Sequence, residues 1–141
     1  MKLQVFRTSS EEETIALGES LAVQFPPRLT VLLIGNQGAG KTTLAKGIVQ
    51  GLGAALIDDV SSPTYTLIHQ YSPNVYHIDL YRLDDTRQVE GLGLEEIFDR
   101  EAIVLIEWGE RFPRLLPEHR MEIRIATEDE NTRRLEVKFP G

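Results

Sequence analysis

The sequence contains no cysteine and no long apolar run, and these absences narrow the classes of protein that it can represent. Without cysteine there is no disulfide framework, no thiolate nucleophile and no zinc site of the cysteine type. No apolar stretch approaches the roughly 18 residues that a membrane span requires. The first residues, MKLQVFRTSSEEE, have no apolar core of the secretory type and turn acidic early. We therefore expect a cytoplasmic protein that does not associate with a membrane.

Clustered positive charge is also scarce. The formal net charge is −7 at pH 7, and Arg133-Arg134 is the only adjacent pair of Lys or Arg residues. Proteins that grip nucleic acid directly usually carry a basic stripe, because phosphate contacts supply most of their affinity. We expect no binding to DNA, and contact with RNA only through a partner that holds it.

Apolar patterning predicts an α/β fold in one domain of 141 residues, with helices packed on a mixed, mainly parallel sheet. An N-terminal strand at residues 3–8 precedes a helix that Ser9/Glu12 or Ser10/Glu13 opens and Pro26-Pro27 stops. RLTVLLIG and AIVLIEW are continuous apolar runs of the kind buried on both faces of a sheet. The remaining predicted elements are a helix over TTLAKGIVQGLG, a hairpin around the turn at 72–74, one or two short helices in DDTRQVEGLGLEEIF, a turn of helix in RFPRLLP and a closing hairpin of MEIRIAT and RRLEVKF.

The stretch GNQGAGKTT, residues 35–43, fits the phosphate-binding pattern G-x-x-x-x-G-K-[ST]. It lies between a predicted strand and a predicted helix, which is the context that this motif requires. Its glycines allow successive backbone N–H groups to point at phosphate oxygens, and the following helix adds the positive end of its dipole. Lys41 can reach the β- and γ-phosphates, and the Thr42 hydroxyl can ligate Mg²⁺. The residues predicted to contact the nucleotide are Gly35, Asn36, Gln37, Gly38, Ala39, Gly40, Lys41, Thr42 and Thr43.

Two acidic residues at predicted strand ends are candidates to complete a magnesium site. Asp79 lies in VYHIDLYRL and Glu107 ends AIVLIEW. Ligands of open α/β sheets bind at the carboxyl ends of the strands, and Mg²⁺ usually needs a carboxylate beside the threonine. We expect both acids to serve as ligands of the metal or of the attacking water. The sequence leaves open which of them would touch the metal directly.

For four further residues, a purely structural interpretation competes with a functional one. Thr64, in SSPTYT, is a candidate sensor of the γ-phosphate, although a threonine that merely starts a strand fits equally well. Trp108 follows Glu107 directly, and its spacing alone favours half-buried packing. His69 and His77 are interpreted as strand residues and are assigned no metal, because no helix-spaced histidine pair accompanies them.

Four segments in this order resemble the bacterial TsaE (YjeE-type) P-loop ATPase family. They are GNQGAGKTT, SSPTYTL, YHIDLYRL and LIEW, and the resemblance extends over residues 8–137. It implies a three-layer P-loop NTPase-like fold with an N-terminal strand–helix extension and a C-terminal antiparallel hairpin. It also implies ATP and Mg²⁺ as cofactors, and a role in threonylcarbamoyladenosine modification of ANN-decoding tRNAs. The implied partner is the TsaD–TsaB complex, through which tRNA would be contacted.

The resemblance also implies roles for individual residues. Lys41 and Thr42 match the family's phosphate lysine and magnesium threonine, and Thr64 matches its switch-like threonine. Asp79 and Glu107 match its acidic pair, which makes Lys41, Thr64, Asp79 and Glu107 the expected catalytic residues. Trp108 and Arg133 match residues beside the nucleotide. Asn36-Gln37 departs from the acidic residue and leucine that are common in the family, which affects loop electrostatics more than phosphate binding.

The favoured activity is slow ATP hydrolysis that partners accelerate, because no arginine is evidently placed as an internal finger. One alternative is a nucleotide-gated binding module without significant turnover. Another is a small-molecule kinase, for which RLDDTRQVEG is the only lid-like stretch. A GTPase is disfavoured because no N-K-x-D motif follows the glycine loop.

Overall fold

In the part of the chain that the structure describes, seven strands form one sheet, and helices lie on both of its faces. The computed structural model describes residues 2–36, 38–56, 60 and 67–140. The strands are β1 (Leu3–Thr8), β2 (Leu29–Ile34), β3 (Ile68–Ser72), β4 (Val75–Asp79), β5 (Ile103–Glu107), β6 (Met121–Thr127) and β7 (Arg133–Lys138). The helices are α1 (Glu11–Ala22), α2 (Lys41–Gly51), α3 (Thr86–Glu90) and α4 (Leu94–Phe98), with 3₁₀ turns at Gly109–Arg111 and Pro113–Leu115.

The strand order is β1-β7-β6-β2-β5-β4-β3. The central pairs are parallel, since β2 pairs with both β5 and β6, and β4 pairs with β5. The outer pairs are antiparallel, with β1 and β6 flanking β7 on one side and β3 against β4 on the other. The predicted α/β class is confirmed, as are the N-terminal extension and the closing hairpin. Because the parallel strands occupy the centre, their carboxyl ends meet at one edge of the sheet.

Strand β2 is apolar except for Thr30, because it contributes to both layers of the core. Val31 and Leu33 face the layer that contains α1 and α2. Leu32 and Ile34 face the layer that contains α3, α4 and the 3₁₀ turns. All four side chains are buried. The second layer covers β2, β5 and β4, whereas on β6 alternate residues are buried and accessible, so the hairpin extension presents a polar outer face.

Helix α1 begins at the second of the two predicted capping pairs. The Ser10 side chain accepts a hydrogen bond from the Glu13 N–H at 3.1 Å, and the Glu13 carboxylate accepts one from the Ser9 N–H at 2.8 Å. The helix ends at Ala22, before the predicted stop at the two prolines. Gln24 N–H donates to the carbonyl of Leu21, three residues earlier. This shorter hydrogen-bond span tightens the chain into a turn ahead of the prolines.

Residues 84–98 form two short helices, as predicted, and they are packed rather than free. Asp85 caps α3 by accepting from the Gln88 N–H at 3.1 Å. Val89 of α3 and Leu94 of α4 are almost completely buried in the second core layer. Within the described ranges, no helix has both the length and the apolar character needed to cross a membrane.

Helix α2 is held by an unusually close approach to α1. A Cβ atom built on Gly47 would lie 2.1 Å from the carbonyl oxygen of Ile15, and one on Gly18 would lie 2.6 Å from that of Leu44. No side chain larger than hydrogen fits at either contact. Since α2 starts directly after the glycine loop, this contact sets where the loop lies relative to the sheet.

We predict that Gly47→Ala lowers the free energy of unfolding by about 1–3 kcal/mol or more, because the two helix backbones must separate to admit a methyl group. Gly91→Ala is the matched control. Its φ is −66°, and its nearest contact would be an ordinary 3.5 Å, so it should be neutral or stabilise by up to about 1 kcal/mol. Chemical denaturation of both variants measures the difference. Equal stability of the two variants would contradict the packing argument.

Candidate nucleotide-binding site

The glycine loop closes tightly between β2 and α2. A Cβ on Gly35 would lie 2.6 Å from the carbonyl oxygen of Ile125 on β6. Gly38 and Gly40 adopt φ values of 82° and 111°, which residues with a side chain rarely adopt. The Ala39 N–H donates to the Asn36 carbonyl at 3.0 Å, which folds the loop back on itself. Gln37 was also predicted to contact the nucleotide, but it lies outside the described residues.

The first turn of α2 is arranged to receive an anion. Gly40 precedes the helix and provides no side-chain cap, and the first turn contains no acidic residue. The N–H groups at this end therefore keep their capacity to bind an external acceptor, and the helix dipole favours negative charge there. Thr42 and Thr43 lie in the same turn and are partly accessible.

Lys41 is the most unusual side chain of the site, because its ammonium group is buried and no described residue forms a hydrogen bond with it. Only 5% of the residue is exposed, and in the described part of the chain Nζ has no hydrogen-bond partner. Nζ lies 3.7 Å from the centre of the Trp108 ring, in a cation–π contact. Burial lowers the pKa of Lys41, against the opposing influence of Glu107, Glu110 and Asp79. The ammonium thus lies near three acidic residues, and no described residue forms a hydrogen bond with it.

Trp108 reaches Lys41 through a left-handed backbone conformation. Its φ is 65°, a region that tryptophan rarely adopts, and it comes directly after the end of β5. Its ring also packs on that of Tyr81, with 5.0 Å between the ring centres. The structure therefore brings Trp108 next to the predicted phosphate lysine, although its backbone conformation could not be read from spacing.

Asp79 and Glu107 stand side by side at the carboxyl ends of two parallel strands. They are paired residues in the β4–β5 register, and Glu107 is also paired with Leu33 of β2, which leads into the glycine loop. Both are buried, at 2% and 3% exposure. Asp79 accepts a hydrogen bond from the Tyr81 N–H at 2.8 Å, and Glu107 contacts His77 at 2.6 Å. The predicted acids are thus brought together beside Lys41.

This donor set fits magnesium. Two carboxylates and the Thr42 hydroxyl supply oxygen atoms, which Mg²⁺ prefers, and the ion usually takes one or two carboxylates together with substrate phosphates. In the described part of the chain, no three or more His, Asp or Glu side chains form a group that could hold a metal ion by themselves. Thr64, the predicted γ-phosphate sensor, lies outside the described residues.

Arg133 joins the far hairpin to the glycine loop. Its Nε donates to the Ala39 carbonyl at 3.0 Å. It also borders a cavity of about 270 Å³ beside the loop, on the side of α1 and of the turn between β6 and β7. The other residues that line this cavity are Ser10, Glu11, Thr14, Gly38, Gly40, Thr43, Glu130 and Asn131.

Comparisons with known proteins match this chain to one family over most of its length. The family model described as "Threonylcarbamoyl adenosine biosynthesis protein TsaE" matches residues 8–135. The chain belongs to the TsaE family. A relative of this family from Bacillus subtilis (strain 168), named tRNA threonylcarbamoyladenosine biosynthesis protein TsaE, is 38% identical over 144 residues. That alignment covers 100% of this chain and 89% of the relative.

Other relatives and a solved structure agree with this family relationship. A TsaE protein from Haemophilus influenzae is 45% identical over 93 residues, which cover 64% of this chain and 58% of the relative. One from Nostoc is 36% identical over 136 residues, covering 92% and 82%. The crystal structure of YdiB from Bacillus subtilis superposes with a TM-score of 0.81 at 31% identity, covering 99% of this chain and 87% of that one.

Two residues of this TsaE chain at the site were missed from sequence. Glu110 lies in the 3₁₀ turn after Trp108, and its Oε1 is buried with no hydrogen-bond partner in the described ranges. His77, interpreted as an ordinary strand residue, contacts Glu107. The available signal for His77 was its spacing of two from Asp79, which places both side chains on one face of β4. Glu110 had no comparable signal, because the spacing of residues does not predict the 3₁₀ turn in which it lies.

We predict that Lys41 loses its proton at a pH below the ordinary lysine value, because burial disfavours the charged form more than the surrounding acids favour it. Added nucleoside triphosphate should raise this pKa, since phosphate oxygens favour the ammonium. NMR titration of the lysine side-chain signals measures both shifts, and Lys41→Met identifies the signal by its loss. A nucleotide-free Lys41 that titrates at or above the ordinary value would contradict the desolvated geometry.

Proposed function

We propose that this chain is a Mg²⁺-dependent ATPase that takes part in the threonylcarbamoyladenosine modification of ANN-decoding tRNAs and acts on the TsaD–TsaB complex. The names of its relatives support the pathway. The observation that carries the ATPase proposal is the buried Lys41 ammonium, which lies between an uncapped helix N-terminus and two strand-end carboxylates. A polyphosphate would supply the anion that this ammonium lacks.

On this proposal each residue has a separate task in phosphoryl transfer. The loop and α2 amides hold the phosphates, and Lys41 leaves the Trp108 ring to neutralise the β- and γ-oxygens. Bound Mg²⁺ would supply further charge neutralisation, with Thr42 and one of the two acids, Asp79 or Glu107, as its protein ligands. The other acid orients the attacking water. The cavity beside Arg133 has room for the nucleoside, and Trp108 and Arg133 are the proposed contacts outside the loop.

Slow turnover by the isolated chain is part of this proposal. Two arginines near the site already donate to backbone carbonyl oxygens, Arg133 to Ala39 and Arg111 to Tyr81 and Leu83. A missing arginine finger can cost roughly a thousandfold or more in rate. The acidic net charge of −7 also supports leaving tRNA contact to the partners. Partner binding is therefore proposed to accelerate hydrolysis.

The packing of residues 82–91 disfavours the small-molecule kinase. This stretch was the only lid-like candidate, but Val89 is 1% exposed and belongs to the second core layer. Opening it as a lid would expose this apolar contact. The nucleotide-gated binding module differs from the ATPase only in turnover, so a hydrolysis assay separates the two.

We predict that purified TsaD–TsaB stimulates ATP hydrolysis by this chain, and that Glu107→Gln reduces the stimulated rate at least about a hundredfold, because the attacking water or the metal ion loses its carboxylate. Glu118→Gln is the matched control, because this exposed acid precedes β6, away from the carboxyl ends of the parallel strands. Nucleotide binding without turnover under any condition would contradict the ATPase and support the nucleotide-gated module.

We predict that Lys41→Ala weakens ATP binding by about 2–5 kcal/mol, because a phosphate-paired charge is removed. Lys46→Ala, on the same helix but partly accessible and beyond the first turn, serves as the control and should bind normally. Isothermal titration calorimetry with ATP and Mg²⁺ measures both affinities. An unchanged affinity in Lys41→Ala would show that the loop is not the phosphate site.

A further inference from the structure

His77 lies directly behind Glu107, in the interior of the sheet. Its exposed fraction is 0%, and its Nε2 is 2.6 Å from Oε2 of Glu107, which is itself only 3% exposed. The two residues belong to neighbouring parallel strands, and His77 is paired with Leu105, two residues before Glu107. The contact therefore connects two rigid elements, so the backbone holds both partners in place.

The contact has a defined chemical direction. A carboxylate that holds a metal ion or accepts from the attacking water only accepts hydrogen bonds, so the role proposed for Glu107 requires Nε2–H of His77 to donate to Oε2. His77 Nδ1 is buried and has no partner among the residues that the structure describes. A bare nitrogen at that position is less costly than a second buried N–H, which favours the tautomer with its hydrogen on Nε2. The distance of 2.6 Å is short, and hydrogen bonds to a charged acceptor are shorter than those between neutral groups.

Packing limits the movement of the imidazole. The Tyr71 ring of β3 lies 6.5 Å from it between ring centres, tilted by 33°. The Tyr71 hydroxyl is 3.2 Å from Nδ1 of His69, two residues earlier on the same strand. Because side chains in such a core occupy single rotamers, the donor that faces Glu107 is fixed in position.

We propose that His77 is a positioning residue that fixes the orientation of the Glu107 carboxylate for ATP turnover; this inference rests on the proposed function. Oε2 is engaged by His77, so Oε1 is the oxygen that serves the water or the metal ion. Without the donor, the carboxylate can rotate about its terminal bond and lose the required alignment. The effect falls on the chemical step, because the glycine loop and Lys41 bind the phosphates independently of this contact.

Two substitutions of nearly equal shape isolate the hydrogen bond. His77→Gln places an amide N–H three bonds from Cβ, the same bond distance as Nε2 of histidine. His77→Met has a similar length and volume but no donor. His119→Gln is the control for loss of a histidine, because His119 is exposed in the segment before β6. Steady-state kinetics with TsaD–TsaB and excess Mg²⁺, together with thermal unfolding, compare the three variants with the wild type.

We expect His77→Met to lower kcat by about tenfold or more while KM for ATP changes less than about threefold, since hydrogen bonds to charged groups contribute substantially. His77→Gln should recover most of kcat. If the wild type hydrolyses ATP and the His77→Met and His77→Gln variants have equal kcat, the positioning role of His77 is overturned, while the proposed ATPase stands. A wild type that binds ATP without turnover overturns the proposed ATPase and with it the catalytic use of this contact.

If both variants fail to fold, the wild-type chain still provides a test. The ¹⁵N shifts of the His77 imidazole report which nitrogen carries the hydrogen. Protonation on Nε2, together with a shift of that signal in Glu107→Gln, supports the donated hydrogen bond. A hydrogen on Nδ1 alone, with Nε2 bare, overturns the proposal.

Discussion

The removal of one lysine ammonium from water is the constraint on which the site depends. Lys41 is 5% exposed, and its Nζ has a ring face but no hydrogen bond in the described part of the chain. An unpaired buried charge is costly, and a cation–π contact returns only about 2 kcal/mol of that cost. The three acids around it lower the cost further through longer-range attraction. The charge of Lys41 is thus only partly compensated in the nucleotide-free site.

The fold supplies the rigidity that such a site needs. Lys41 is the first residue of α2, and α2 is locked to α1 by contacts at Gly47 and Gly18 that admit no side chain. The acids stand at the ends of β4 and β5, which are buried on both faces in the centre of the sheet. The charges therefore come from elements that cannot move apart easily, and the groups that would meet a nucleotide are arranged before it arrives.

Local sequence patterns predicted the parts of the site that depend on local structure. The glycine loop, the strand-end acids and the order of helices and strands were readable, because each follows from residue spacing or from the period of apolar side chains. The contacts between distant segments were not. Nothing in the pattern of residues 3–8 indicates that β1 pairs with β7, or that Arg133 donates to Ala39. The left-handed backbone of Trp108 and the buried Oε1 atom of Glu110 arise from the turn after β5, which the spacing of residues does not predict.

The incompletely paired charge of Lys41 also connects the binding of a ligand to the stability of the folded chain. A ligand that binds only the folded chain stabilises it in proportion to the logarithm of its concentration over its dissociation constant. A polyphosphate would add negative charge at Lys41, whose ammonium has no hydrogen-bond partner among the described residues, and Mg²⁺ would add positive charge beside the two strand-end acids. The gain in stability would arise at Lys41, where a buried charge is only partly compensated. Residues that improve the pairing of Lys41 within the free protein would, for the same reason, compete with a phosphate, so incomplete pairing of Lys41 would favour the binding of an anion at this loop.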